Sequence, residues 1–327
     1  MRDSQINVDR ERLRVAPSLE LAVTWRREVR AGIERIWENV FDWEHLPVLH
    51  EMYFNAVEQI EIGDWGWRVA LTKNPGTPDR SMVLEMRADR EKARYRVQTL
   101  SGDGAGTEIW TLLTPLAPHR TAVEVRYYLP ERRPERLAAL ADKYRASCVR
   151  LWNEDEAMMM RREEMMTRAS AERRRSEKPV PLGPSAGLRR RLPLLVEYEG
   201  EPFRIVEGED GSLLAHATIC PHWLGPLDEA APQNGILRCP WHGYRFDMRS
   251  GESADGRGYR LAPARALRST GHRRSEPRPL RPADIRQQHG QQAEQRQESA
   301  DLIDVIDARR VGEPAERRCP DPGHPER

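Results

Sequence analysis

Two short segments that each combine one cysteine with one histidine constrain this chain more than any other feature. The first segment runs from Cys220 to His222, and the second, sixteen residues further on, runs from Cys239 to His242. Thiolate sulfur and imidazole nitrogen are ligands for zinc and for iron–sulfur clusters. Zinc fingers carry their cysteine pair and their histidine pair on separate segments, whereas here each segment has one of each. The pattern therefore predicts two loops that share one metal centre.

Two kinds of metal centre fit this ligand set. A single zinc ion can take two cysteines and two histidines in a tetrahedral site. A cluster of two iron atoms can place both thiolates on one iron and both imidazoles on the other. Neutral imidazole in place of thiolate lowers the negative charge of such a cluster, so its reduced form is easier to reach and its reduction potential rises.

The pattern C-x-H-x16-C-x-x-H resembles the Rieske [2Fe-2S] family. The surrounding residues agree, because Gly225-Pro226-Leu227 follows the first segment, and the second reads CPWHGYRFD and is followed by Gly251. The resemblance covers residues 178 to 268. It implies a small all-β domain and a [2Fe-2S] cluster bound by Cys220, His222, Cys239 and His242.

The loops also indicate a branch of that family. Respiratory Rieske proteins carry an extra cysteine in each loop, and here those positions hold Gly225 and Trp241. Tyr244 replaces the hydroxyl residue that follows the second His-Gly in respiratory proteins. Fewer donors to the cluster sulfurs imply a lower reduction potential. The resemblance is therefore to the soluble oxygenase and ferredoxin side of the family.

The first half of the chain has an order of elements typical of one fold. Alternation from Leu19 to Trp25 predicts a strand, and apolar residues at helical spacing from Ile33 to Phe41 predict a helix that Pro47 breaks. Six strand-like segments separated by turn signals follow up to residue 129, and a long helical run begins near Pro134. This order resembles the START/Bet v 1 (helix-grip) superfamily over residues 19 to 168, which implies an antiparallel sheet around a long helix and an apolar cavity.

The first helical region holds a group of polar residues. Asp42 and His45 are three residues apart and share a helix face. Asp42 can therefore hold one ring nitrogen of His45 and fix its tautomer. His45 and His50 are five residues apart, so a straight helix does not align them. The break at Pro47 lets both point at one centre.

Asp155 on the long helix is the candidate third ligand. It interrupts a stripe of apolar residues at spacings of three and four, where a carboxylate is costly unless it is paired or bound to metal. Two histidines and one carboxylate form the facial triad of non-haem Fe(II) oxygenases. The neighbouring Glu154 and Glu156 point to either side of the stripe, and we predict that they face solvent.

The string N-x-x-D-x-x-H-x4-H, followed by a distant helix aspartate, resembles the catalytic domain of Rieske non-haem iron oxygenases. That resemblance implies that His45, His50 and Asp155 bind a mononuclear Fe(II). It also implies that Asp42 bridges electronically to a Rieske histidine. The family normally places the Rieske domain before the catalytic domain, whereas here the order is reversed.

Composition completes the predicted domain organisation. Residues 1–170 form the START-like catalytic domain, and residues 171–192, basic and containing Pro, Gly and Ser, form a linker. Residues 193–268 form the Rieske domain. Residues 269–327 are rich in Arg, Pro, Gln and Glu and bury too little apolar surface to offset chain entropy, which predicts a disordered tail. The expected fold class is α+β, a helix-grip domain followed by a small all-β domain.

The charge balance and the cysteine content indicate which partners and which cellular compartment to expect for this chain. Lys and Arg number 53 and Asp and Glu 52, and this near balance argues against wholesale binding of nucleic acid or anionic membrane. No apolar run is long enough to cross a bilayer, and the first residues do not resemble a signal peptide. Four cysteines in 327 residues are too few to indicate a fold held together by disulfide bonds. A cytoplasmic protein without a membrane partner is expected.

Together the resemblances imply an oxidoreductase that acts as a monooxygenase or dioxygenase. Its cluster would pass electrons to Fe(II), which activates O2 to hydroxylate or demethylate a small apolar or aromatic substrate. The chain has neither a G-x-G-x-x-G loop nor a plant-type four-cysteine ferredoxin pattern, so an external reductase or ferredoxin is expected.

Two questions stay open at the level of sequence. The alternative function is a START-like protein that binds a hydrophobic ligand, with a Rieske electron-transfer domain and no mononuclear iron. Electron transfer between the subunits of a homo-oligomer and transfer within one chain are both compatible with the reversed domain order, because the linker is long enough to allow the second route.

Overall fold

The chain forms two units, which the computed structural model describes over residues 14–76, 80–170, 180–198, 200–262, 266–270 and 302–306. The first unit contains the described residues up to Ser170 together with the turn Pro240–Gly243. The second contains the described residues from 180 to 306 apart from that turn. None of the helices in these ranges is long and apolar enough to span a membrane.

A seven-stranded antiparallel sheet makes up most of the first unit. Its strands are β1 (Glu20–Val29), β2 (Phe54–Gly63), β3 (Gly66–Lys73), β4 (Ser81–Asp89), β5 (Arg94–Gly102), β6 (Glu108–Ala117) and β7 (Arg120–Leu129). They pair in the order β1-β7-β6-β5-β4-β3-β2, so the chain runs as a meander from β2 to β7 and β1 closes on the last strand. A short 3-10 helix at Arg90–Lys92 joins β4 to β5.

Three helices complete the first unit, and they confirm the predicted helix-grip arrangement. Between β1 and β2 the chain forms α1 (Ile33–Phe41) and the one-turn α2 (Leu46–Leu49). After β7, the 37-residue α3 (Pro134–Ser170) begins at the predicted proline. Proline suits the first helical turn because its missing N–H has no helical acceptor there.

The core of the first unit lies between the sheet and α3. Every second residue of β7 is buried, among them Val123, Val125 and Tyr127, because successive side chains of a strand point to opposite faces. These side chains belong to one apolar cluster that also contains Trp152 of α3. The rings of Trp25 and Trp152 stack with centroids 6.2 Å apart and link β1 to the helix.

The second unit consists of short strands in three small sheets. Strands β9 (Leu194–Tyr198), β10 (Glu201–Glu207) and β11 (Leu213–Ala217) form the first, and β12 (Ile236–Arg238) pairs with β13 (Arg245–Asp247). The third contains β8 (Val180–Pro184), β14 (Ala266–Thr270) and β15 (Leu302–Ile306), with β15 in the middle. A short helix, α4 (Ser185–Arg189), follows β8. The small all-β region predicted for this part of the chain is present.

The predicted linker and tail contain regular structure where they are described. Part of the segment predicted as linker forms β8 and α4, and Leu182 and Leu188 are buried there. Residues 171–179 of the linker lie outside the described residues. Of the tail predicted to be disordered, the described residues are the end of β14 and the whole of β15, and the remainder lies outside the described ranges.

Glu156 joins α3 to β1, and the prediction that it faces solvent is wrong. Its side chain is 3% exposed and contacts the guanidinium of Arg27. It also accepts hydrogen bonds from the backbone N–H of Arg30 at 2.8 Å and from the Arg30 Nε at 3.1 Å. The carboxylate can be buried because Arg27 of β1 and Arg30, one residue beyond that strand, supply these donors and offset the cost of removing it from water.

We expect Glu156→Ala to lower the free energy of unfolding of the first unit by about 2 kcal/mol, because the partly buried guanidinium of Arg27 and the backbone N–H of Arg30 lose their acceptor. Chemical denaturation of the full chain, followed by tryptophan fluorescence, measures this. Glu164→Ala is the matched control, since Glu164 lies on the same helix with its side chain 46% exposed, and it should change stability by less than about 0.5 kcal/mol. Equal effects of the two variants would contradict the structural role of Glu156.

Candidate functional site

The one-turn helix α2 positions two buried histidines at its ends. His45 is the N-cap of α2 and His50 its C-cap, and Pro47 lies in the first turn. Before it, α1 ends at Asp42, whose extended backbone stops that helix. The chain thus changes direction twice, and the two imidazole rings come within 5.1 Å between centroids. The break predicted at Pro47 is wrong in position, because α1 ends at Phe41 and Pro47 lies in the first turn of α2, where its missing N–H has no helical acceptor.

Asp155 of α3 lies beside both histidines. Its Oδ1 is 3.2 Å from His50 Nε2 and 3.5 Å from His45 Nε2. One ligand atom from each of the three residues lies within 4.8 Å of the others. Metal bonds of about 2.1 Å at right angles separate two ligand atoms by about 3 Å, so this spacing suits one bound metal ion. The structure therefore brings together the three residues predicted as ligands.

Carboxylates also face the outer nitrogens of both rings. His45 Nδ1 is 3.3 Å from Asp42 Oδ2, and His50 Nδ1 is 2.7 Å from Glu154 Oε2. A proton on Nδ1 that is held by a carboxylate leaves the Nε2 lone pair for a metal. The Nε2 atoms of both histidines point towards Asp155, as this tautomer requires.

Two residues around the site, Glu154 and Asn39, have contacts that the sequence did not predict. The prediction that Glu154 faces solvent is wrong, because its side chain is only 24% exposed and contacts a buried ring. Asn39 donates from Nδ2 to Asp155 Oδ1 at 3.1 Å. Asn39 belongs to the N-x-x-D-x-x-H string, whereas Glu154 carries no signal apart from its place beside Asp155.

The electrostatics of the site follow from burial and from the paired charges. Burial alone would raise the pKa of Asp155, but His50, His45 and the Asn39 amide outweigh it and hold the pKa below its usual value. Burial alone would lower the pKa of His50, but Asp155 and Glu154 raise it above the usual value. The carboxylate of Asp155 is therefore ionised, as a metal ligand must be.

Asp42 contacts a second imidazole within the first unit. Its Oδ2, 3.3 Å from His45 Nδ1, is also 2.6 Å from His242 Nε2. Burial would raise the pKa of Asp42, but the two histidines hold it well below its usual value. An ionised carboxylate thus lies between two imidazole rings, one next to Asp155 and one in the Cys239–His242 segment.

The cysteines of the motif lie in the second unit, each at the start of a tight turn. The backbone N–H of Cys220 donates to Gly225 O at 2.9 Å, and that of Cys239 donates to Tyr244 O at 2.8 Å. Both residues are buried, and neither forms a disulfide. A hydrogen bond between their thiols, together with burial, raises the pKa of Cys220. Two neighbouring buried thiols suit thiolates that bind the same iron atom.

His222 has an aromatic neighbour in the same unit. Its ring stacks on Tyr244, with centroids 4.1 Å apart and planes 18° apart. Tyr259 contacts both rings edge-on, and the Arg257 guanidinium lies 4.2 Å from the Tyr244 ring centroid. His222 is therefore covered by a tyrosine that is itself covered by a cation.

Comparison with known protein families identifies the domain that carries the two cysteine and histidine segments. Residues 178–261 match the Rieske [2Fe-2S] domain. This chain contains a Rieske [2Fe-2S] domain. The match favours the cluster of two iron atoms over the zinc site that the ligand set also allows, and it includes all four residues of the Cys and His pattern.

One curated relative shares a segment with this Rieske-containing chain. A stretch of 46 residues is 41% identical to the oxygenase component of dicamba O-demethylase from Stenotrophomonas maltophilia. That stretch spans 14% of this chain and 14% of the relative. The similarity is therefore local.

Solved structures resemble less than half of the chain. Norcoclaurine synthase from Thalictrum flavum, in complex with dopamine and hydroxybenzaldehyde, is 17% identical with a TM-score of 0.34, over 43% of this chain and 87% of that one. Zhui aromatase/cyclase from Streptomyces sp. R1128 is 14% identical with a TM-score of 0.36, over 44% and 95%. A START superfamily protein from Mycobacterium smegmatis is 20% identical with a TM-score of 0.33, over 42% and 96%.

We expect His222→Cys to keep the [2Fe-2S] cluster and lower its reduction potential by at least about 100 mV, because thiolate adds negative charge where neutral imidazole was bound. Electron paramagnetic resonance and a redox titration of the purified protein measure this. Cys148→Ser is the control, since Cys148 is a free buried thiol of the first unit, and the cluster spectrum should not change. A colourless wild-type protein that contains only zinc would contradict this assignment.

Proposed function

We propose that this chain is a Rieske-type oxygenase that hydroxylates or demethylates a small apolar or aromatic substrate with O2. The [2Fe-2S] cluster is held by Cys220, His222, Cys239 and His242. A mononuclear Fe(II) is held by His45, His50 and Asp155. The observation that carries the proposal is the contact of Asp42 with both His242 and His45, because it joins a residue of the Rieske motif to a residue of the candidate iron site.

The three ligands of the proposed iron site have the chemistry that Fe(II) requires. Two imidazole nitrogens and one carboxylate form a facial triad, and this ligand set leaves positions for dioxygen. Bound Fe(II) supplies the activation of dioxygen. Asp42 and Glu154 face the outer nitrogens of His45 and His50, so each ring can carry its proton on Nδ1 and offer Nε2 to the metal. Asn39 orients the carboxylate of Asp155.

Asp42 performs two tasks in this proposal. Its charge stabilises a proton shared with His242, and its second contact orients the ring of His45. A short path of imidazole, carboxylate and imidazole then connects the cluster ligand to the iron ligand. The side chain of Asp42 is 6% exposed, so water does not compete for its oxygen atoms.

The interior of the first unit supports an apolar or aromatic substrate. Its core cluster contains Trp37, Trp67, Trp152, Met86 and Met159. Burial raises the pKa of Tyr95 well above its usual value, so this phenol stays neutral. An apolar interior with a neutral phenol is compatible with an uncharged substrate.

An external electron donor completes the proposal. A Rieske cluster accepts electrons one at a time, and the sequence contains no nucleotide-binding loop or second ferredoxin motif. A separate reductase or ferredoxin therefore supplies the electrons.

We expect wild-type protein purified without oxygen to contain three iron atoms per chain, and His45→Ala and Asp155→Ala to contain two. Each variant lacks one of three protein ligands of the mononuclear iron, whereas the cluster ligands are unchanged. Iron analysis together with the Rieske absorbance measures both sites. Two iron atoms in the wild type, and no loss in either variant, would favour the alternative of a ligand-binding protein with a Rieske electron-transfer domain.

We expect Asp42→Asn to retain three iron atoms but to slow oxidation of the pre-reduced cluster by at least about 100-fold in the presence of O2 and substrate. Asparagine keeps the size of the side chain and its position beside His45 but loses the charge that favours a protonated Rieske imidazole. Stopped-flow absorbance of the cluster in a single turnover measures the rate. An unchanged rate would exclude the bridging role of Asp42.

A further inference from the structure

We propose that Glu154 is a positioning residue that fixes the ring of His50 for metal binding. The inference rests on the mononuclear metal site of the proposed function and adds a residue that the sequence pattern does not contain. Glu154 Oε2 lies 2.7 Å from His50 Nδ1. On the other edge of the same ring, Asp155 Oδ1 lies 3.2 Å from His50 Nε2. Two consecutive residues of α3 therefore hold both nitrogens of one imidazole.

The burial of His50 makes this contact necessary. The His50 side chain is 2% exposed, so Nδ1 is paired with Glu154 and not with bulk water, and a buried polar atom that loses its partner is destabilised. The contact also decides the tautomer. With the proton on Nδ1 directed at a carboxylate, the lone pair on Nε2 is directed at the metal. Loss of Glu154 would allow the ring to rotate or to carry its proton on Nε2.

The two oxygen atoms of Glu154 have different partners. Oε1 accepts a hydrogen bond from Arg150 Nε at 3.0 Å, and Arg150 is 49% exposed. An exposed pair one helical turn apart contributes little to stability, so Arg150 is not a sufficient reason for the position of Glu154. Oε2 contacts the buried ring of His50. The orientation of His50 is thus the larger effect.

Glu154 and Asp42 orient the two histidines for different purposes. Asp42 contacts His45 and also His242, so a change at Asp42 affects both the metal site and the route from the Rieske motif. Glu154 contacts His50 and Arg150. Its replacement should therefore change the affinity and ligand geometry of the metal site without changing the potential of the cluster.

The test measures Co(II) binding to the full chain with its Rieske cluster intact, after the mononuclear site has been emptied with a chelator. We expect Glu154→Ala to weaken Co(II) binding by about 10–100-fold, as loss of an outer partner of a ligating histidine typically does. Glu154→Gln keeps an oxygen acceptor and should stay within a few-fold of wild type. Glu164→Ala, an exposed carboxylate of the same helix, should not change the affinity.

A second readout separates orientation from a general structural effect. The wild-type Co(II) protein, compared with the Zn(II) protein, should show two exchangeable proton NMR signals shifted by cobalt, from the Nδ1–H groups of His45 and His50. Glu154→Ala should lose one of these signals to solvent exchange, whereas Glu154→Gln should keep both. Alanine favours helix, so α3 should remain folded, and an unchanged cluster absorbance and potential checks this.

The outcomes distinguish this inference from the proposed function. If Glu154→Ala binds Co(II) as tightly as wild type and keeps both signals while Asp155→Ala has lost Co(II), the metal site stands and the role of Glu154 is wrong. If Glu154→Gln is as weak as Glu154→Ala, orientation by a hydrogen-bond acceptor is also wrong. If Asp155→Ala binds Co(II) like wild type, the proposed metal site is absent and the inference fails with it.

Discussion

The ionised carboxylate of Asp42, buried between two imidazole rings, is the interaction on which the candidate site depends. A buried charge without partners costs several kcal/mol, so Asp42 can be buried only where other groups offset its desolvation. His45 and His242 do this, and both contact the same oxygen atom, Asp42 Oδ2. The end of α1 at Asp42 and the short α2 after it are the local structures that allow this contact. The proposed electron route uses the same three residues.

Helix α3 contributes three consecutive carboxylates with three different partners. Successive residues of a helix point about 100° apart, so Glu154, Asp155 and Glu156 face different surroundings. Glu154 reaches the outer nitrogen of His50, Asp155 lies between the Nε2 atoms of both histidines, and Glu156 holds the end of β1. The same turn of α3 therefore both anchors the sheet, through Glu156, and positions the candidate metal ligands, through Glu154 and Asp155. A shift of α3 by one residue would remove all three contacts.

The two histidines of the proposed cluster differ in the charge of the groups beside them. His242 contacts an ionised carboxylate, whereas His222 stacks on Tyr244, above which lies the cation of Arg257. An anionic carboxylate therefore lies beside one imidazole, and an aromatic ring with a cation on it lies beside the other. The carboxylate side is the one that leads to His45, which agrees with the proposed direction of electron flow.

The fold was largely predictable because its signals are local. Strand alternation, turn residues and Pro134 predicted the antiparallel sheet and the long helix, and the spacing of Cys220, His222, Cys239 and His242 predicted a domain that the match to the Rieske family confirms. Part of the segment predicted as a linker forms the strand β8, which pairs with β15 more than a hundred residues later. Pairing over that distance leaves no local pattern.

In the candidate site, too, the features set by neighbouring residues were predictable, and the contacts between distant residues were not. The sequence by itself determined the residue types and predicted an interruption of the first helical run, which it placed at Pro47 instead of at Asp42. It also indicated Asp155 as a carboxylate in an apolar stripe. Only the tertiary structure decided that Asp155 lies beside those rings, that Glu154 holds His50, and that Glu156 is buried against β1. Helical periodicity reports which face of α3 a residue occupies, but the partner of that face is set by the packing of elements more than a hundred residues apart.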